Sequence, residues 1–185
     1  MINLNKAFES KFLIEPIEDL PVGMPTYYFP DTSTEGGSDG PIVKVTPPGG
    51  TSWVGIFAFG QLVKNGLSGL YPMPDQKQFC VVANGRGYIV DAGDHSRWEE
   101  LMAQPITDVR EILDKGMIIF ANLTEITAYD STGKKWTTKR LALEGFKIVD
   151  ISSERIVGKY YDIRSEADNL FEVDLASGEV KGGIE

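Results

Sequence analysis

The sequence predicts an all-β, antiparallel fold made of propeller-like four-stranded units, and three observations carry that expectation. Short runs rich in Val, Ile, Tyr and Phe alternate with turn residues along the 185 residues, and Gly is abundant, at 20. That mix favours strands and tight turns over helices. An Asp-led turn closed by Gly recurs, at Asp130-Ser131-Thr132-Gly133 and at Asp174-Leu175-Ala176-Ser177-Gly178. Counted on Asp91, Asp130 and Asp174 the intervals are 39 and then 44 residues, the spacing of propeller blades.

The best-formed copy runs from Glu125 to Trp136. Thr127 and Tyr129 fall on one face and Ile126 and Ala128 on the other. The Asp130 carboxylate can then accept from backbone N–H groups two residues on, and Gly133 can take positive φ without a Cβ clash. Trp136 opens the next strand.

In chain order, residues 2–14 suit either a short amphipathic helix or an edge strand. Residues 15–30 carry Pro16, Pro21, Pro25 and Pro30, which rules out a long helix and predicts an extended wrap. Residues 31–40 form a polar, Gly-rich loop. It imitates the start of a calcium-binding loop but has Ile42 where a bidentate Glu is required. Residues 41–46 read as a strand, Pro47-Pro48-Gly49-Gly50 as a turn, and the apolar run 52–59 as a central strand buried on both faces. Turn signals fill residues 60–76.

The repeating part follows. Residues 79–83 and 88–91 pair across Asn84-Gly85-Arg86-Gly87, and 98–101 and 106–112 complete the first unit. Residues 117–121, 126–129, 136–138 and 146–151 make the second. Residues 155–160 and 170–174 begin a third that the chain leaves unfinished. The expected organisation is one domain over 1–185, with an N-terminal wrap and strands in 1–76 and repeats in 77–185. So few units cannot close a ring of four to eight blades. The N-terminal strands complete a split sheet, the sheets pack face to face, or two chains share an assembly.

Composition narrows the function. A net charge of −9 argues against nucleic acid, since phosphate binding needs a basic face. The one basic cluster, Lys134, Lys135, Lys139 and Arg140, reads as an exposed turn and strand end. The acidic balance favours basic partners. The lone cysteine, Cys80, sits among apolar neighbours and reads as core. The first residues lack a signal-peptide pattern and no apolar run reaches membrane-spanning length. The expectation is a cytoplasmic protein without a membrane contact.

Ala128-Tyr129-Asp130-Ser131-Thr132-Gly133-Lys134-Lys135-Trp136 resembles the Ala-x-Asp-x-x-Thr-Gly-x-x-x-Trp signature of pyrroloquinoline-quinone-type propeller repeats, with one residue fewer between Gly and Trp. Val173-Asp174-Leu175-Ala176-Ser177-Gly178 matches its turn half, with Val180 in the place of the tryptophan. The resemblance implies that Trp136, and more loosely Trp98, docks one blade onto the next. It implies no quinone or metal here, because no lined central channel is legible; no cofactor is expected. The pattern from Cys80 to Gly183 is also similar to small bacterial proteins with propeller-like repeats, a likeness of fold alone.

Chemistry-bearing residues are few. The only histidine, His95, lies in Asp91-Ala92-Gly93-Asp94-His95-Ser96, which holds the ingredients of acid–base or nucleophilic catalysis. Adjacent residues do not normally face one another, and a triad draws its members from separate elements. The simpler reading has Asp91 and Asp94 shaping a turn. Two carboxylates and one imidazole would also need a further ligand to hold a metal. Most aromatics read as core, but Tyr27 and Tyr28, on a Pro-bounded segment, suit interface anchors. The function expected is a non-catalytic module that binds a protein partner. The alternatives are a ligand-binding or hydrolytic pocket at Asp91, Asp94 and His95, or a homodimer that completes its sheets between chains.

Overall fold

A computed structural model describes residues 2–30, 39–62, 64 and 66–184. Most of the polar loop read at 31–40, namely 31–38, lies outside the described residues. The rest is all-β apart from one short 3-10 turn, Leu113–Lys115. Among the described residues sixteen strands form four sheets of four.

The first sheet contains β1 (Leu13–Ile17), β2 (Thr26–Phe29), β3 (Ile42–Thr46) and β4 (Trp53–Phe57), in the order β1-β3-β4-β2. Its ladders are antiparallel except β2·β4, which is parallel. The other three are antiparallel meanders in chain order. The second comprises β5 (Gly69–Pro72), β6 (Gln78–Ala83), β7 (Arg86–Asp91) and β8 (Trp98–Glu100). The third comprises β9 (Asp108–Ile112), β10 (Met117–Ala121), β11 (Ile126–Asp130) and β12 (Gly133–Thr137). The fourth comprises β13 (Phe146–Ile151), β14 (Arg155–Asp162), β15 (Ala167–Asp174) and β16 (Val180–Gly182).

The all-β expectation holds, but three details differ. The unit boundaries are shifted by one strand: residues 106–112 open the third sheet and 146–151 open the fourth, so every repeat is complete. The missing opening strand of the second sheet is β5, inside a stretch that reads as turns. The segment 15–30 is not a bare wrap, since it contributes β2 and most of β1, and Pro16 is tolerated because β1 is an edge strand. Residues 2–12 form no helix; Leu4 makes an isolated parallel bridge to Leu70.

The chain divides into two compact units, Met1–Ile106 and Thr107–Glu185. The boundary expected at 76/77 therefore falls inside the first unit, between the paired strands β5 and β6. In the first unit Val43, Trp53 and Phe57 share a core with Phe79, Val81 and Tyr88. In the second, Ile119, Ala128 and Trp136 share one with Ile156, Phe171 and Val173. β6 and β10 are buried almost throughout, as their unbroken apolar runs require. Cys80 lies on β6 with burial pushing its thiol far above the ordinary range, so it is held protonated and out of reach.

Each unit is latched in the same way. Trp136 Nε1 donates to the Leu175 carbonyl at 3.0 Å, and Trp53 Nε1 donates to the Ala92 carbonyl at 3.0 Å, each across 39 residues of chain. In both cases a tryptophan in one sheet meets the turn after the third strand of the next. Gly178 shows why that turn ends in glycine. Its φ is +74°, and a Cβ would stand 2.7 Å from Cδ2 of Trp136. Trp98, on β8, meets Phe29 of the first sheet edge-on at 5.6 Å and makes no such latch among the described residues, so the first unit's counterpart of Trp136 is Trp53.

The turns follow their residues. Asn84 and Gly85, at φ 49° and 83°, make the two-residue primed turn that suits a twisted hairpin, and Arg86 and Gly87 already belong to β7. No helix of the described residues is long and apolar enough to cross a membrane.

Candidate functional site

The loop from β7 to β8 carries Asp91, Asp94 and His95, and its backbone is set by its two aspartates. Asp91 Oδ1 accepts from the amides of Gly93 (2.8 Å) and Asp94 (3.1 Å). Asp94 Oδ1 accepts from the Ser96 amide (3.1 Å) and hydroxyl (2.6 Å), while Oδ2 faces Arg97 Nε at 3.3 Å. The Ser96 hydroxyl therefore points at Asp94 and not at His95. The same device closes the other repeats: Asp130 holds the amide and hydroxyl of Thr132, and Asp174 those of Ser177.

These bonds lower the affinity of the three carboxyls for protons. Asp94, Asp130 and Asp174 lie below their ordinary value of 3.8, chiefly through the hydroxyls of Ser96, Thr132 and Ser177. A carboxyl depressed by folding stabilises the native state above its unfolded value and loses that contribution as pH falls through the folded value. The midpoint of urea unfolding is accordingly expected to be level at neutral pH and to decline below about pH 4. Asp174→Asn should flatten part of that decline; an unchanged acid limb would show that the Asp174 turn contributes nothing to it.

His95 has a different neighbour. Its ring lies flat on Tyr27, with centroids 3.4 Å apart and planes at 16°. Tyr27 in turn meets Trp53 nearly at right angles at 5.9 Å, and Trp53 lies 6.0 Å from His95. These rings, with Pro25, Pro47 and Pro48, line an open hollow of about 410 Å³. The structure thus joins two residues that the sequence left apart, Tyr27 and His95. Tyr28 alternates to the opposite face of β2, in register with Ile56 and outside the hollow. Trp53, Pro47 and Pro48 were missed because the sequence shows them as core strand and turn, and Pro25 because it reads as part of the extended wrap. The recurrence of the 39-residue interval from Trp53 to Ala92 was the available signal.

Elsewhere in this unit Arg86 grips Glu100 with two bonds of 2.8 Å and covers the Tyr88 ring at 5.3 Å. The Tyr88 hydroxyl donates to the Ala58 carbonyl at 2.9 Å. These groups tie β7 to β8 and to the end of β4, a structural duty. Among the described residues no group of three or more His, Cys, Asp or Glu side chains is placed to hold a metal ion. In the second unit, the basic cluster is partly engaged: Lys135 pairs with Asp130 at 3.2 Å and Arg140 donates to the Ala142 and Leu143 carbonyls. A comparison with known protein families and curated sequences finds no match to the chain.

Proposed function

We propose that the chain is a non-catalytic binding module that engages a protein partner through the loop face around Tyr27 and His95. The observation that supports this most is the fate of the polar groups: Asp91, Asp94 and Ser96 are spent on one another and on the loop backbone, leaving the imidazole stacked on a tyrosine. A nucleophile and base need the hydroxyl directed at the imidazole. An aromatic and proline-lined hollow offers contact area at small entropic cost, the quality of an interface anchor.

The hollow itself favours a second reading, a small neutral ligand seated among the rings. Native mass spectrometry of protein purified gently from its own host separates the two. An added mass of protein size, weakened at least about tenfold by Tyr27→Ala with the fold retained, is the expected result. An adduct of small-molecule mass that Tyr27→Ala removes would transfer the assignment to the ligand. Loss of a hydrolytic activity in Asp94→Ala or His95→Ala would overturn the non-catalytic reading.

A further inference from the structure

We propose that the groove between β9 and β13 is a docking site for an extended, basic segment of a partner protein, which adds to β9 as a further strand. This rests on the reading of the chain as a protein-binding module, but it uses another surface and other residues.

Both strands end their sheets, in the orders β12-β11-β10-β9 and β13-β14-β15-β16, so each has a single ladder neighbour among the described residues. Within the second unit they flank a groove of about 690 Å³. Ile112, Ile148 and Ile151 belong to or pack against the core there, while Leu113 and Val149 remain 59% and 58% exposed. The two edges are not equivalent. β13 shifts register between Ile148 and Asp150, and such a bulge blunts an edge. β9 keeps unbroken register with β10 from Asp108 to Ile112. A regular edge beside apolar side chains is the template that strand addition uses.

Charge selects the occupant. The described lining residues include Glu111, Asp114 and Asp150 against one cation, Arg110, which is already held by Asp108 at 3.0 Å. Burial raises the Glu111 carboxyl more than Arg110 lowers it, so a cation brought alongside would be welcome. A second copy of a chain with net charge −9 supplies the wrong sign. A segment alternating apolar and Lys or Arg residues satisfies both the groove and its rim, since successive strand residues face opposite ways.

The test pans a library of random dodecapeptides against the full chain and maps the selected peptides by hydrogen exchange. Enrichment in alternating apolar and basic residues, with protection of residues 108–114 and 148–153, is the expected result. The exposed double substitution Asp114→Lys with Asp150→Lys should then weaken binding about tenfold. Peptides without basic enrichment, or binding unaffected by the double substitution, would overturn the proposal. So would self-protection of β9 through dimerisation. Protection around Tyr27 and Pro47 instead would remove this groove while leaving the binding-module reading intact, and no selected peptide at all would count against both.

Discussion

Replacing Trp136 by Ala is expected to destabilise the second unit by about 3–5 kcal/mol, the cost typical of deleting a buried large aromatic. Trp136 is only 8% exposed and belongs to the core shared by the third and fourth sheets. Its removal opens a cavity between them and strips the Leu175 carbonyl of its donor at 3.0 Å. Urea unfolding followed by circular dichroism measures the loss. Trp136→Phe should fall between the two, because it retains most of the packing and forfeits the hydrogen bond. Gly178→Ala supplies the control. In the native background its Cβ strikes the indole. In the Trp136→Ala background the ring contacts are gone, and what remains is the strain of positive φ with the 3.0 Å approach to the retained Cβ of residue 136. The two substitutions should therefore cost less together than the sum of their separate effects. Simple additivity would show that the indole does not rest on the Gly178 backbone.

The second large effect is expected at Gly158. On β14 this residue sits directly opposite Phe171 of β15, and the ring lies over it. A Cβ would collide with Cζ of Phe171 and stand 2.6 Å from Cε1. Phe171 is 1% exposed and meets Phe146 edge-on at 5.3 Å, so it has little room to withdraw. Gly158→Ala should cost about 3 kcal/mol, at the upper end of the usual range for overpacking. The substitution adds β propensity, so a stabilisation would mean that the ring moves freely. Phe171→Leu in the same chain should recover part of the loss. That coupling is measurable as a thermal-unfolding cycle.

Much of the architecture was legible because its turns depend on short-range chemistry. Asp130, Gly133 and Asp174 act within a few residues of themselves, and the sequence displays each of them whole, whereas Gly178 is legible as a turn residue but not as the seat of the distant Trp136 ring. β5 was not legible, since Gly69 and Pro72 look like turn residues. Gly69 is there because a Cβ would meet the Tyr71 ring, 2.6 Å from its Cζ. Losing that one strand displaced the boundary of every later unit. The first sheet was obscured for another reason. Its order and its parallel β2·β4 ladder arise from pairing between distant segments, which no local pattern announces. The candidate site was half visible. The turn role of Asp91 and Asp94 follows from their spacing, but the stacking of His95 on Tyr27 joins two sheets and exists only after they pack.

The contrast between the first sheet and the other three also governs where the entropy of chain closure is concentrated. In the meanders each strand pairs with the next one along the chain, so each ladder is closed by a local connection. In the first sheet, Leu13 must find Thr46 and Thr26 must find Val54 before the β1·β3 and β2·β4 ladders form. Loop-closure cost rises only logarithmically with length, but it is incurred before the contacts that offset it. The N-terminal strands therefore carry the greatest share of non-local ordering among the four sheets, and they include the strands that hold Tyr27 and Trp53 in place.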